Sequence, residues 1–145
     1  MVDFMEAALE QARLAFEKDE VPVGAVIVKD GQIISAAHNL KETLKDVTAH
    51  AEILAIRKAE TLLDNWRLTG CSMYVTLEPC AMCASAIAQS RISNLYIGSP
   101  DIDRGACGSV INIIEEERIN NYVKVFWTYN EACSKIITNF FRNRR

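Results

Sequence analysis

The chain has 145 residues, half of them hydrophobic and 24% charged, with 16 basic and 19 acidic side chains and a net charge of -3. This balance excludes a disordered chain and suits one domain with its own core. It does not mark a general polyanion binder, although a local basic patch can still meet phosphates. No apolar run approaches the ~20 residues of a membrane helix. The start, Met1-Val2-Asp3-Phe4, has no basic region leading into an apolar stretch, so the expected location is cytoplasmic, off the membrane.

In chain order, Met5, Leu9, Ala12 and Phe16 share one face at helical spacing and predict a first helix. It ends at Lys18-Asp19-Glu20, after which Val21-Pro22 forces the chain to extend. Residues 23–28 read as a strand and 33–37 as its partner. The turn Lys29-Asp30-Gly31-Gln32 joins them, with glycine accepting positive φ. A polar loop is expected from Asn39 to Val47. Thr48 then stands where it would cap a helix over Ala49–Leu63. Met73 to Leu77 is a short strand, and Pro79 opens an alanine-rich helix over Cys80–Ser90. Leu95 to Gly98 and Tyr122 to Trp127 read as strands, and Asn130 to Arg142 as the last helix. Trp66 and Trp127 sit among apolar neighbours and read as core. Helices alternating with strands point to an α/β fold: a mixed central sheet covered by helices on both faces, parallel where a helix joins two strands.

The five cysteines, Cys71, Cys80, Cys83, Cys107 and Cys133, are an odd set for a reducing compartment, which argues against a disulfide framework. Cys80 and Cys83 lie three apart at a helix start, where the helix dipole favours thiolates. Two thiolates plus the imidazole of His50 suit zinc, one ion per chain. No second cysteine pair or partnered histidine supplies a fourth ligand, since His38 lacks partner spacing and Cys71, Cys107 and Cys133 read as small buried hydrophobes. Three protein ligands leave one position for water, the pattern of a catalytic rather than a structural site. Glu52 alone would read as an exposed glutamate at a helix start. Beside a three-ligand zinc site it reads as a proton shuttle for a zinc-bound water whose pKa falls toward ~7. The combination suits hydrolytic deamination of an amino-substituted ring better than peptide hydrolysis, where two histidines and a carboxylate are usual.

His50-Ala51-Glu52 followed by Pro79-Cys80-Ala81-Met82-Cys83 resembles the signature of the zinc-dependent cytidine/deoxycytidylate deaminase superfamily. Further segments occur in order: 20–26, Asn39, 48–53, Trp66-Arg67-Leu68, 74–80, Ser90-Arg91-Ile92, 105–109 and Phe140-Phe141-Arg142. Together they resemble bacterial tRNA-specific adenosine deaminases over nearly the whole chain. The resemblance implies a three-layer α/β/α cytidine-deaminase-like fold, with one zinc-dependent deaminase domain over residues 1–145. It also implies a homodimer that converts the wobble adenosine of a tRNA anticodon to inosine, the target base flipping out of the anticodon loop into the pocket. It assigns base contact to Asn39, pocket walls to Val23, Ala51 and the Leu77-Glu78-Pro79 turn, and a place near the sugar to Asp101. Val47, His38 and Asn120-Asn121 depart from the family pattern, and none is a zinc ligand.

Arg142, Arg144 and Arg145 make a basic C-terminus. By composition they serve equally well as a solvated helix end complementing the dipole. The resemblance tilts them, with Lys41 and Lys45, toward phosphates of the anticodon stem-loop and a salt-dependent affinity. A free-base or nucleoside deaminase acting on guanine, cytosine or cytidine is the alternative within the superfamily. Guanine deaminases share Pro-Val-Gly-Ala and His-Ala-Glu but usually lack the Trp-Arg-Leu and Gly-Ser features. A non-catalytic structural zinc module is opposed by Glu52 and by the missing fourth ligand.

Overall fold

In the computed structural model, which describes residues 2–119 and 122–144, the apolar stripe of the first segment forms α1 (Phe4–Glu17). The Asp3 carboxylate caps it by accepting the Glu6 amide at 3.0 Å. A hairpin follows, β1 (Gly24–Lys29) and β2 (Gln32–His38). Both central residues of its turn have positive φ, 51° at Asp30 and 75° at Gly31, matching the strand twist. Next come a short α2 (Lys41–Leu44), α3 (Ala51–Leu63), β3 (Ser72–Val75), α4 (Ala81–Gln89), β4 (Asn94–Ile97), β5 (Lys124–Trp127) and α5 (Glu131–Arg142).

The five strands order as β2-β1-β3-β4-β5. β1 runs antiparallel to both neighbours, while β3, β4 and β5 are parallel, with Val75, Ile97 and Trp127 in register. Loops leaving these three strands therefore emerge side by side at one end. Alternation along β1 splits the core into two layers. Ala25 and Ile27 face Ala55 and Ala59 of α3 and Ala84, Ile87 and Ala88 of α4. Val26 and Val28 face Met5, Leu9 and Ala12 of α1 and Cys133 of α5. The result is the expected three-layer α/β/α arrangement. Gly24 lets α1 lie close on β1, because a Cβ there would collide with the Ala8 carbonyl and the Ala12 amide. On the α1 side Tyr74, Tyr96 and Phe126 stack across the parallel strands, with centroids 4.3 and 4.8 Å apart. No helix among the described residues is long and apolar enough to cross a membrane.

Four local expectations change. The loop from Asn39 holds α2, which ends at Lys45 in the left-handed conformation (φ 50°). Thr48 does not cap α3: its amide and hydroxyl both donate to Asp46 Oδ1, at 2.8 and 2.7 Å, and His50 occupies the N-cap. Trp66 is 49% exposed rather than core, with the Arg67 guanidinium 4.4 Å from its ring centroid. The last strand is shorter than expected, starting at Lys124, and Asn120 and Asn121 lie outside the described residues.

α2 has no cap of its own. Its first amides, from Glu42 and Thr43, donate to the buried carboxylate of Glu20 at 3.0 and 2.6 Å. Burial alone would raise the Glu20 pKa. The hydrogen bonds from Thr43 and Glu42 outweigh it and hold the carboxyl below the ordinary value of 4.5. A depressed folded pKa means this stabilisation is complete above 4.5 and fades as pH falls through the folded value. Glu20→Gln is expected to destabilise the protein by about 1–3 kcal/mol at neutral pH. Urea unfolding should show the gap from wild type narrowing below about pH 4.5.

Candidate active site

α3 and α4 lie on the same face of the sheet and begin with His50 and Cys80 as their N-caps. Cys83 is one turn into α4 and fully buried. His50 Nδ1 lies 3.7 Å from Cys80 Sγ and 3.5 Å from Cys83 Sγ, and the three donor atoms fall within 4.8 Å of one another. Zinc with Zn–S near 2.3 Å and Zn–N near 2.0–2.1 Å requires an S···N separation of roughly 3.6 Å at a tetrahedral angle. The geometry and the soft donor set therefore fit a zinc ion, and no other such cluster occurs among the described residues.

The neighbouring Cys83 and His50 hold the Cys80 thiol down at about 4, against the opposing effect of burial. Cys80 in turn raises His50, and the Cys83 thiol is pushed up by Cys80 and by burial. Glu52, in the first turn of α3, is only 4% exposed. Burial, helped by the charge of Cys80, lifts its carboxyl to about 7. His50, Glu52 and Cys80 line a cavity of about 150 Å³.

That cavity gathers Val23, Asn39, Lys41, Ala51, Leu77 and Asp101 from five separate segments. Pro79 is buried outside the lining, with its carbonyl accepting the Ala106 amide at 2.9 Å. Lys45 and Arg142 are exposed and do not line the cavity. Arg144 is engaged elsewhere: it pairs with Asp19, lies over the Phe140 ring and donates to the Phe140 carbonyl at 3.1 Å. Arg145 lies outside the described residues. Cys71, Cys107 and Cys133 are buried and unbridged, and burial raises all three thiols.

Two cavity residues escaped the sequence reading, Val21 and Arg104. Val21 adjoins Pro22-Val23, and Arg104 is the lone base in the Asp101–Gly105 turn. The part played by Glu78 was also hidden. Its buried carboxylate accepts the amides of Asp101 at 3.0 Å, Cys107 at 2.9 Å and Ser109 at 3.1 Å, together with the Ser109 hydroxyl. It thus gathers the loop after β4 onto the cavity. Asp101 continues the pattern, with Oδ1 accepting the Asp103 and Arg104 amides at 3.1 and 3.2 Å. Asn39 donates to the Val21 carbonyl at 3.2 Å and accepts the Lys41 amide at 3.1 Å, which fixes its amide plane at the cavity wall.

The MafB19-like deaminase family model matches residues 2–145. A tRNA-specific adenosine deaminase of Aquifex aeolicus is 49% identical over 144 residues, 98% of this chain and 94% of the relative. A solved structure from work on A-to-I editing by tRNA:A34 deaminases at the wobble position superposes with a TM-score of 0.88. It has 45% identity and covers 92% of this chain and 97% of its own. A guanine deaminase of Bacillus subtilis is more distant, with TM-score 0.64, 32% identity, and 97% and 92% of the two chains covered.

Glu78→Gln turns an amide group toward backbone donors and is expected to cost about 1.5–3 kcal/mol. Gly105→Ala, whose Cβ would collide with the Glu78 carboxylate, should cost about 1–3 kcal/mol. Urea unfolding measures both, and limited proteolysis should cut the 101–109 loop faster in each variant.

Proposed function

The chain belongs to the MafB19-like deaminases and, among them, to the tRNA-specific adenosine deaminases, and from this premise we propose that it hydrolyses adenosine to inosine at the wobble position of tRNA anticodons. The observation that carries this reading is the cluster of His50, Cys80 and Cys83 beside a buried Glu52 on one small cavity. His50 Nδ1, Cys80 Sγ and Cys83 Sγ would hold one zinc ion per chain, which supplies the Lewis acidity that makes water nucleophilic near neutral pH.

Glu52, whose carboxyl is lifted by burial to about 7, is suited to accept and release a proton near neutral pH. It takes one proton from the attacking water and gives it to the purine ring nitrogen, then carries the second, from the new C6 hydroxyl, to the departing amine. Water adds at C6, the exocyclic C–N bond breaks, and ammonia leaves. Asn39 retains one amide N–H and one oxygen lone pair for the base edge beyond its two internal bonds. Val23, Ala51 and Leu77 form the apolar walls around the ring. Asp101 is assigned to the ribose, and Pro79 sets the backbone of the wall behind it. Lys41, Lys45, Arg142 and Arg145 are assigned to phosphates. In this reading the whole chain is one catalytic domain acting in the cytoplasm as a homodimer. Exposed Trp66, which lines the α3–α4 groove, is apolar surface of the kind a second copy covers.

Purified protein incubated with tRNA should yield inosine at the first anticodon position by mass spectrometry; ammonia from guanine without inosine would overturn the assignment. Glu52→Ala should keep about one zinc per chain and lose roughly 10²–10⁴-fold in kcat. A chelator should abolish turnover and added zinc restore it, while sedimentation should give twice the chain mass.

A further inference from the structure

Resting on the reading of the substrate as an RNA loop, we propose that Trp127 and Tyr129 form a stacking platform for an unpaired base flanking the target adenosine. Trp127 ends the edge strand β5 and packs on the sheet face that carries α3 and α4. Tyr129 stacks on it, with ring centroids 5.7 Å apart and planes 16° from parallel. Tyr129 is 69% exposed, so ring surface remains open to solvent.

The position is built rather than incidental. The Thr128 amide donates to the Ile97 carbonyl at 2.9 Å and the Asn130 amide to the Gly98 carbonyl at 2.7 Å, fixing the backbone on both sides of the ring. Tyr129 itself has φ 49°, in the left-handed region where glycine is at ease and a bulky side chain costs backbone energy. Folding alone asks neither for a ring here nor for its exposure, and strain of this kind is kept where function uses it.

The platform is continuous with the cavity rim. Gly98 leads to Ser99, whose carbonyl accepts the Glu78 amide at 2.8 Å, and then to Asp101. With neighbouring strands ~4.8 Å apart, the end of β5 stands roughly 10 Å from the end of β3, the reach of an adjacent nucleotide. Unpaired bases of RNA loops stack on aromatic side chains with little dependence on sequence, an interaction that changes affinity by about 5- to 150-fold per base.

The test uses the zinc-loaded full chain and an anticodon stem-loop RNA with adenosine at the first anticodon position and 2-aminopurine beside it. Tyr129→Gly should weaken binding by about 5- to 150-fold and raise KM with kcat nearly unchanged. It should melt at or above the wild-type temperature, because it relieves the backbone. Tyr129→Phe should behave as wild type, since stacking needs the ring and not the hydroxyl. Quenching of 2-aminopurine on binding should be lost in Tyr129→Gly alone. Unchanged RNA affinity in an active Tyr129→Gly would overturn the platform and leave the substrate reading standing. So would a loss that tracks a fall in oligomer mass, or an equal loss in Tyr129→Phe. If wild type neither binds nor deaminates the RNA, both readings fall together.

Discussion

Everything at the site depends on bringing three soft donor atoms within 4.8 Å of one another from segments thirty residues apart in the chain. That approach is possible only if the N-termini of α3 and α4 converge. They converge because both helices lie on one sheet face through side chains small enough to admit close packing, Ala55 and Ala59 on one and Ala84 and Ala88 on the other. The strand order does the rest: β1 sits beside β3, and β3 runs parallel to β4, so α4 crosses between them back over the sheet. Two sets of free helix amides then point at one spot, where they favour thiolate charge. Glu52 is buried by the same packing, and its raised pKa is a consequence of where α3 must start.

The donor set was legible in the sequence because histidine, paired cysteines and a nearby glutamate are informative as types as well as by spacing. The three-layer arrangement was legible too, since alternating helices and strands leave few other ways to bury both faces of the sheet. What escaped was structure made by partners distant in the chain. α2 is a single helical turn whose cap, Glu20, lies 22 residues before Glu42, so no local pattern announces it. Thr48 has the right chemistry for a cap, but the adjacent Asp46 takes its hydroxyl and leaves the position to His50. Trp66 sits among leucines in sequence. The left-handed Asp64 (φ 50°) that ends α3 redirects the chain, and the ring emerges beside Arg67.

Glu20 and Glu78 do the same job for two different segments that carry cavity residues. Each is almost wholly buried, and each spends its charge on amides of a segment that would otherwise be held only by its ends. Neither carboxylate is spare for chemistry. This leaves Glu52 as the acidic group beside His50, Cys80 and Cys83 whose burial is not offset by a set of backbone donors.

That arrangement separates the shape of the walls from their chemistry. An amide N–H is common to every residue except proline, so the segments gripped by Glu20 and Glu78 keep their path through changes of exposed side chain, Gly105 against the Glu78 carboxylate being the exception. Residues such as Lys41 and Arg104 can be exchanged without loosening the loops that present them. A scaffold held in this way can diverge toward new bases or new RNA sequences through exposed side chains alone, while the cluster of His50, Cys80 and Cys83 is left untouched.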